Sequence, residues 1–194
     1  ANRVSYFFNL NGPSLAVDAN MAWTPRDAVA RIARLARYDL AYVEQPVAGD
    51  DLDGLRHVTR HSDVPIMADE SVLSLGDVVR IVRDRAADLL HLKLIKLGGI
   101  AGLWRAAAVA EAGGVGVMVG QTNEGGLATA AAAHCAKAVK AAHLELYGAE
   151  GLTEDPARGF ALRDGCATFP ETPGLGITLD VGALARVGVV GSPA

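Results

Sequence analysis

Charged residues end four strand-like segments of this chain, and they recur at a nearly constant interval. The segments LAVDAN, LAYVEQP, PIMADES and LLHLKLIKLGG place Asp18, Glu44, Asp69 and Lys93 at successive spacings of 26, 25 and 24 residues. A fixed period of this length is the signature of a repeated supersecondary unit. Because each segment is mostly apolar up to its charged residue, the pattern predicts buried strands that present a charged side chain where they end.

Helix-like segments lie between the strand-like ones. The first, TPRDAVARIARLARYD, offers Thr24 as a helix N-cap and Pro25 at the first helical position, and its apolar face includes Ala28, Ile32 and Leu35. DDLDGLRHVTRHSD and SLGDVVRIVRDRAAD follow the same scheme, whereas GLWRAAAVAEAGG and GGLATAAAAHCAKAV are rich in small residues that pack close to a sheet. This alternation predicts a parallel sheet with crossover helices.

Six strand–helix units are predicted, with strands near 15–19, 40–44, 65–69, 89–95, 115–120 and 142–147. A parallel sheet of this kind is either open and doubly wound or closed into a (β/α) barrel. No glycine-rich phosphate-binding sequence follows the first strand, and charged residues end four successive strands. Both features favour the barrel. Since a full TIM-type barrel has eight strands, about six of its eight β/α units are predicted here.

The length and composition of the chain fit a single core. With 194 residues, 51% of them hydrophobic, it can bury one sizeable core. Residues 15–150 contain the predicted β/α units, and residues 151–194 are turn-rich, with short β-prone pieces between Pro and Gly. We predict that this last segment is irregular chain with a short hairpin that covers one end of the barrel.

Composition excludes several classes of function. The formal net charge is −4 and the basic residues are scattered, so neither a nucleic-acid footprint nor a membrane-surface helix is expected. The two cysteines, Cys135 and Cys166, give no disulfide framework and no CxxC metal site. No apolar run reaches transmembrane length, and the N-terminus lacks the basic start of a signal peptide. A cytoplasmic protein is therefore expected.

Three carboxylates are predicted to converge at the mouth of the barrel. Asp18, Glu44 and Asp69 end neighbouring parallel strands, so their side chains meet at one edge of the sheet. Like charges this close repel one another unless a cation lies between them. Oxygen ligands without a nearby His or Cys favour Mg²⁺, with Mn²⁺ as the second choice. Taken singly, each acid is equally well explained as a solvated loop residue.

Lys93 is the fourth charged residue of the series and the candidate general base. Burial at the barrel mouth and a neighbouring cation are both expected to lower the pKa of its ammonium group. Lys96 is the alternative, but strand alternation puts the two side chains on opposite faces, so at most one points into the barrel. The period of the charged residues selects Lys93.

The segments VDANMAW, VEQP, MADES and LKLIKLGGI, in this order and at these spacings, resemble the enolase superfamily. Within it they are similar to the muconate-lactonizing-enzyme-like branch, and the resemblance covers residues 12–180. It implies that Asp18, Glu44 and Asp69 bind Mg²⁺ and that Lys93 is an acid/base. Glu145, in LELYG, matches the last-strand acid of the branch and is a second candidate catalytic residue. The candidate substrate contacts are Asn20, Gln121, Thr122 and Glu124.

The resemblance also implies a reaction. Members of this superfamily remove the proton α to a substrate carboxylate through an enediolate intermediate, with Mg²⁺ bound. We expect an isomerase similar to muconate cycloisomerase. The alternatives are a racemase or epimerase of amino acid derivatives, and a dehydratase of the hydroxyproline or o-succinylbenzoate type. A small carboxylate substrate and a homo-oligomer are expected, without nucleic-acid or membrane partners.

The chain departs from the family pattern at its N-terminal side. The family carries a K-x-K pair on an earlier strand and a separate capping domain. The four lysines of this chain all follow Asp18, and residues 1–14 match the family poorly. We therefore expect an N-terminally incomplete member that lacks the capping domain. The rival interpretation is an inactive fragment or pseudoenzyme that acts by pairing its open barrel edge with another chain.

Overall fold

A seven-stranded sheet forms the centre of the molecule. The computed structural model describes residues 3–9, 12–163, 166–168 and 172–187. In the main sheet the strands lie in sequence order, and β2 to β7 pair in parallel while β1 pairs with β2 antiparallel. Their bounds are β1 Arg3–Asn9, β2 Gly12–Asp18, β3 Leu40–Glu44, β4 Ile66–Ala68, β5 Leu89–Lys93, β6 Gly116–Gly120 and β7 His143–Glu145.

Helices connect the parallel strands. They are α1 Pro25–Leu35, α2 Leu52–Arg60, α3 Leu75–Asp84, α4 Leu94–Leu97, α5 Ile100–Ala112 and α6 Gly126–Ala138. Six parallel strands with intervening helices make a curled half-barrel, which confirms the predicted six units of a (β/α) barrel. Among the described helices, none is both long enough and apolar enough to cross a membrane.

Local sequence explains where the crossover helices begin. Thr24 caps α1 as predicted, because its hydroxyl oxygen accepts a hydrogen bond from the Asp27 backbone N–H at 3.2 Å, and Pro25 takes the first helical position. Ala28 and Ile32 turn the buried face of α1 toward the sheet. Ser74 caps α3 in the same way, through the backbone N–H of Asp77.

Two apolar clusters lie on opposite faces of the sheet. The larger one fills the layer between sheet and helices and includes Val43, Ile66 and Leu90. The smaller one consists of Ala16, Tyr42, Met67 and Met118, with Ala41 and Leu89 packed against it. Because side chains alternate along a strand, the residues two positions before Glu44 and Asp69 share their face. Tyr42 and Met67 therefore form the floor beneath the strand-end charges.

The chain after β7 packs against α6. It forms two short antiparallel pairs, β8 Ala157–Arg158 with β11 Thr178–Leu179 and β9 Ala161–Arg163 with β10 Cys166–Thr168, and then α7 Val181–Val187. Asp155 accepts a hydrogen bond from the backbone N–H of Gly126, at the start of α6. That this segment covers one end of the barrel stays a prediction.

Candidate active site

The strand ends bring the predicted charged residues to one edge of the sheet. Asp18 is paired with Glu44 across β2 and β3, and Lys93 and Glu145 are each paired with Gly120 across β5, β6 and β7. A cavity of about 500 Å³ opens at this edge. All the predicted site residues except Glu124 line it, as do Glu70, Asn123 and Tyr147.

Glu44 is the most perturbed acid of the cavity. It is 7% exposed, and its Oε1 lies 2.7 Å from Nδ1 of His91. Burial, together with the negative charges of Asp69 and Asp18, raises the pKa of Glu44 to about 8. A carboxyl group in this environment takes up a proton or a cation at neutral pH.

Asp69 is held by two lysines. Nζ of Lys93 donates to Oδ2 at 2.7 Å, and Nζ of Lys96 donates to Oδ1 at 2.5 Å and to the main-chain oxygen at 2.8 Å. Burial acts to raise the pKa of Asp69, but the neighbouring His91, Lys93 and Lys96, together with the hydrogen bond from Lys93, outweigh burial and lower the pKa below its usual range. Asp69 is therefore the ionised centre of the cluster.

The expectation that Lys96 faces away from Lys93 is wrong. It assumed that the strand continues past Lys93, but β5 ends at that residue and α4 begins at Leu94. The turn of α4 brings the Lys96 side chain back over the mouth, where it reaches Asp69. Strand alternation does not apply to a residue that lies on a helix.

The expected lowering of the Lys93 pKa is also not what the structure shows. Burial lowers the pKa of this amine, but the charge of Asp69, its hydrogen bond, and the charges of Glu44 and Glu145 outweigh burial and raise it. The expectation included the positive charge of a bound divalent cation. When such a cation is bound, it acts against those carboxylates and lowers the pKa of Lys93. Lys93 is thus an ammonium group within the carboxylate cluster.

His91 is a site residue that the sequence interpretation missed. It is fully buried, its Nδ1 lies 3.7 Å from Oδ1 of Asp69, and its Nε2 lies 3.6 Å from Oε2 of Glu145. Burial lowers the pKa of His91 to about 4, so the ring is neutral at pH 7. The available signal was its position two residues before Lys93, which puts both side chains on the same face of β5.

Gly120 makes room for the buried imidazole. It lies beside Lys93 in the sheet register, and a Cβ atom at this glycine would approach Nε2 of His91 to 1.9 Å. No side chain fits there unless the imidazole moves. The glycine that ends β6 is therefore part of the floor of the site.

Asp18 and Glu145 occupy the two flanks of the cavity. The carboxylate of Asp18 accepts hydrogen bonds from Asn20, at 2.9 Å from its backbone N–H and at 2.5 Å from its side-chain amide. Burial raises the pKa of Asp18 and also that of Glu145, whose pKa is raised further by Glu44. Asn20 thus orients Asp18, in addition to lining the cavity.

The loop after β6 carries the remaining residues that were predicted to contact a substrate. Gln121 is buried, and its side-chain amide donates to the hydroxyl of Thr129 at 2.9 Å. Oε1 of Glu124 accepts from the backbone N–H of Thr122 at 3.0 Å. Glu124 therefore fixes the shape of its own loop, and it is Asn123 that lines the cavity beside Thr122.

The donor set fits a divalent cation. Ligand atoms of Glu44, Asp69 and His91 lie within 4.8 Å of one another. Asp18, predicted as the third ligand, lines the same cavity outside this group, and its charge helps to raise the pKa of Glu44. The prediction that no histidine lies near the carboxylates is wrong, since His91 contacts Glu44 directly. Carboxylate oxygens still outnumber the single nitrogen, as hard divalent cations prefer.

A larger cavity lies away from these groups. It measures about 1040 Å³ and is lined by residues of α5, α6 and the neighbouring strand starts, including Trp104, Val117 and Val139. None of the strand-end charges lines it. In a β/α barrel the chemistry belongs to the carboxyl ends of the strands, so the smaller cavity is the candidate active site.

Comparison with known proteins identifies the family of this chain. Residues 9–183 match the enolase C-terminal domain-like family. The chain is 41% identical over 167 residues to the L-Ala-D/L-Glu epimerase of Bacillus subtilis (strain 168), a match that covers 84% of this chain and 46% of that protein. It is 35% identical over 179 residues to muconate cycloisomerase 1 of Pseudomonas putida, with 89% of this chain and 47% of that protein covered.

Solved structures agree with the fold. The dipeptide epimerase from Enterococcus faecalis V583, complexed with Mg and the dipeptide L-Leu-L-Tyr, matches with a TM-score of 0.82 and 37% identity, over 86% of this chain and 48% of that one. The chain spans about half the length of the relatives that it matches. Together, the strand-end carboxylates, the half-barrel and these matches show that the chain belongs to the enolase superfamily, as a C-terminal domain of its muconate-lactonizing-enzyme-like branch.

Proposed function

We propose that this protein abstracts the proton α to a carboxylate of a small substrate, with Mg²⁺ bound at the cavity and Lys93 as the base. The observation that carries the proposal is the contact between the Lys93 amine and Asp69, 2.7 Å apart, beside Glu44 at one strand-end cavity. The relatives named above support it, because they are epimerases and cycloisomerases of the same superfamily.

Glu44, Asp69 and Asp18 would hold the cation, with His91 packed beneath them. When bound, the cation supplies positive charge that offsets the charge developing on the substrate carboxylate as the α-proton leaves. Glu44 has a pKa of about 8 and must lose its proton before it can act as a ligand. Asn20 and His91 orient the carboxylates of Asp18 and Glu44 through the hydrogen bonds described above.

Lys93 accepts the α-proton at Nζ. Its side chain is 10% exposed, so bulk water has little access to the amine. To act as a base, Lys93 must be neutral, whereas its carboxylate neighbours favour the ammonium form. Lys96 donates to the same Asp69 carboxylate and can hold it in place when Lys93 is neutral. The two lysines thus have different roles around one carboxylate.

The charge of the cavity bears on the substrate class. Five carboxylates line the cavity, and Lys93 is the cationic residue in the same lining. The five are Asp18, Glu44, Asp69, Glu70 and Glu145. A divalent cation balances only part of this excess. Glu145 then favours a substrate with one carboxylate and an N–H donor over a dicarboxylate such as muconate. We therefore place an amino acid derivative, the epimerase alternative, ahead of the cycloisomerase reaction that the sequence favoured.

Deuterium exchange tests the proposal. In D₂O with Mg²⁺, L-Leu-L-Tyr, a dipeptide with one carboxylate, is expected to exchange an α-proton when followed by ¹H NMR, and cis,cis-muconate is expected to react more slowly. Lys93→Ala should abolish exchange because it removes the group that accepts the proton. The matched control is Lys137→Ala, an exposed lysine on α6, which should exchange at the parent rate.

Three outcomes would contradict parts of the proposal. Exchange that survives Lys93→Ala would overturn the assignment of the base. Muconate turnover without dipeptide exchange would overturn the substrate class alone. Absence of any exchange or turnover despite Mg²⁺ binding would favour the rival interpretation of an inactive fragment or pseudoenzyme that pairs with another chain.

A further inference from the structure

We propose that Gln45 is a positioning residue whose buried side-chain amide and backbone fix the segments that carry Asp18, Glu44 and Asp69 relative to one another. Gln45 follows Glu44 directly and is fully buried. It points away from the proposed chemistry and is absent from the lining of the cavity. The inference rests on the proposed function in one respect, that the cavity binds a divalent cation.

The side chain of Gln45 forms four hydrogen bonds. Oε1 accepts from the backbone N–H groups of Asp69, at 2.9 Å, and Ser71, at 3.1 Å. Nε2 donates to the carbonyl of Val47 at 3.0 Å and to the hydroxyl of Ser71 at 2.9 Å. An amide can accept two hydrogen bonds and donate two, so the polar capacity of this side chain is fully used.

The backbone of Gln45 extends these connections to a third loop. Its N–H donates to the carbonyl of Met67, on β4, and its carbonyl accepts from the N–H of Met21, both at 2.8 Å. Met21 lies three residues after Asp18, and Met67 lies two residues before Asp69. One residue therefore connects the segments that carry Asp18, Glu44 and Asp69.

The backbone at Gln45 is strained. Its φ is +32°, in the left-handed region that residues with a side chain rarely adopt. Such a conformation persists only when the surrounding structure determines it, and the hydrogen bonds of the amide and backbone do so here. The turn at Gln45 sends Glu44 to the cavity and the amide to the loop behind it.

Positioning matters at this site because Glu44 and Asp69 must both be ionised to bind a cation, and in that form they repel one another. Glu44 and Asp69 carry carboxylates close enough to share an ion with His91. Without a rigid connection, like charges would move their loops apart and lose the spacing that a cation needs. Residues that orient the ligands of a metal typically change metal affinity about 10- to 100-fold when they are replaced.

Metal affinity tests the proposal without reference to catalysis. Mn²⁺ binding would be measured by EPR of the free ion at a temperature below the unfolding transition. Gln45→Met keeps the length of the side chain but removes its four hydrogen bonds, and it should weaken Mn²⁺ binding about 10- to 100-fold. Gln45→Glu retains an oxygen that can accept from Asp69 and Ser71, so it should bind Mn²⁺ more tightly than Gln45→Met.

Asp88→Ala is the matched control. The Asp88 carboxylate accepts from the backbone N–H of Ile66 at 2.9 Å, so it anchors the opposite end of the same strand, β4. Its replacement should lower thermal stability and leave Mn²⁺ affinity at the parent value. Should Gln45→Met fail to fold, Gln45→Glu is expected to bind Mn²⁺ at least threefold more weakly than Asp88→Ala.

The two proposals fail in different ways. If Gln45→Met, or Gln45→Glu where the first does not fold, binds Mn²⁺ as tightly as the parent, Gln45 does not position the ligands and the proposed function is untouched. Equal weakening by Asp88→Ala would show that general destabilisation is the cause, which also overturns the positioning role. A parent protein that binds no Mn²⁺ would overturn both proposals.

Discussion

At the scale of single residues, the site is a cluster of charges whose protonation states depend on one another. The pKa of Glu44 is raised and the pKa of Asp69 is lowered, although both are buried carboxyl groups at adjacent strand ends. The difference comes from their neighbours, because His91, Lys93 and Lys96 act to lower the pKa of Asp69. Burial and the negative charges of Asp69 and Asp18 raise the pKa of Glu44. The residue type alone therefore does not determine which acid is ionised.

Cation binding should release a proton from Glu44. With a pKa of about 8, Glu44 is mostly protonated at pH 7 without a divalent cation, and its carboxylate form is needed as a ligand. We expect Mg²⁺ binding to release close to one proton at pH 7, and affinity to rise as pH rises toward 8. Isothermal titration calorimetry in buffers of different ionisation enthalpy measures this number.

Two comparisons control that measurement. At about pH 9, above the pKa of Glu44, the release should fall to a small fraction of a proton. Glu44→Gln should bind Mg²⁺ without coupled proton release, or too weakly to measure. An equal number of protons released at both pH values would contradict the assignment of a raised pKa to Glu44.

At the scale of elements, side-chain N-caps fix where α1, α2 and α3 begin, and so where the loop before each of these helices ends. β2 ends at Asp18, the loop that follows carries Asn20, and the α1 cap, Thr24, is separated from Asn20 by three residues. The cap was predictable because N-capping depends on residues within one turn of each other. The end of β5 was not, because the sequence LKLIKL fits a continued strand as well as a short helix.

Replacement of the α1 cap should destabilise the fold without changing the site. Thr24→Ala removes the acceptor for the Asp27 backbone N–H and should lower the free energy of unfolding by about 1 kcal/mol. Urea denaturation followed by circular dichroism measures the change. Thr153→Ala, at an exposed position, is the control and should stay within about 0.5 kcal/mol of the parent. Equal stability of the two variants would show that the cap contributes nothing.

At the scale of the whole molecule, the described sheet has β1 at one edge and β7 at the other. The antiparallel strand β1 covers the edge of β2. Hydrogen-bonding groups on the outer side of an edge strand can pair with another strand. Pairing at β1 or β7 is therefore where the rival interpretation, association with another chain, would be tested.

Asp155 joins the C-terminal segment to the barrel. The N-cap of α6 is Gly125, which has no side chain to accept a hydrogen bond. Oδ2 of Asp155 supplies the missing acceptor for the Gly126 N–H at 2.5 Å. Oδ1 of Asp155 accepts from the Ala157 N–H at 2.9 Å. Asp155→Ala should increase hydrogen exchange in residues 157–160 and at the start of α6, measured by mass spectrometry. Exposed Glu154→Ala is the control. Unchanged exchange in Asp155→Ala would show that this contact does not hold the segment.

The sequence by itself determined the repeat, the six strands, the side of the sheet where the charges gather, and the Thr24 cap. Each of these depends on residues close together in the chain, or on a period that any parallel β/α sheet must share. Only the tertiary structure decided that His91 and Lys96 lie against Asp69 and that Lys93 is an ammonium group among carboxylates. It also decided that Gln45 connects the segments that carry Asp18, Glu44 and Asp69. Those contacts join residues 22 to 47 positions apart. Their geometry exists only once neighbouring strands have set the distance between their ends.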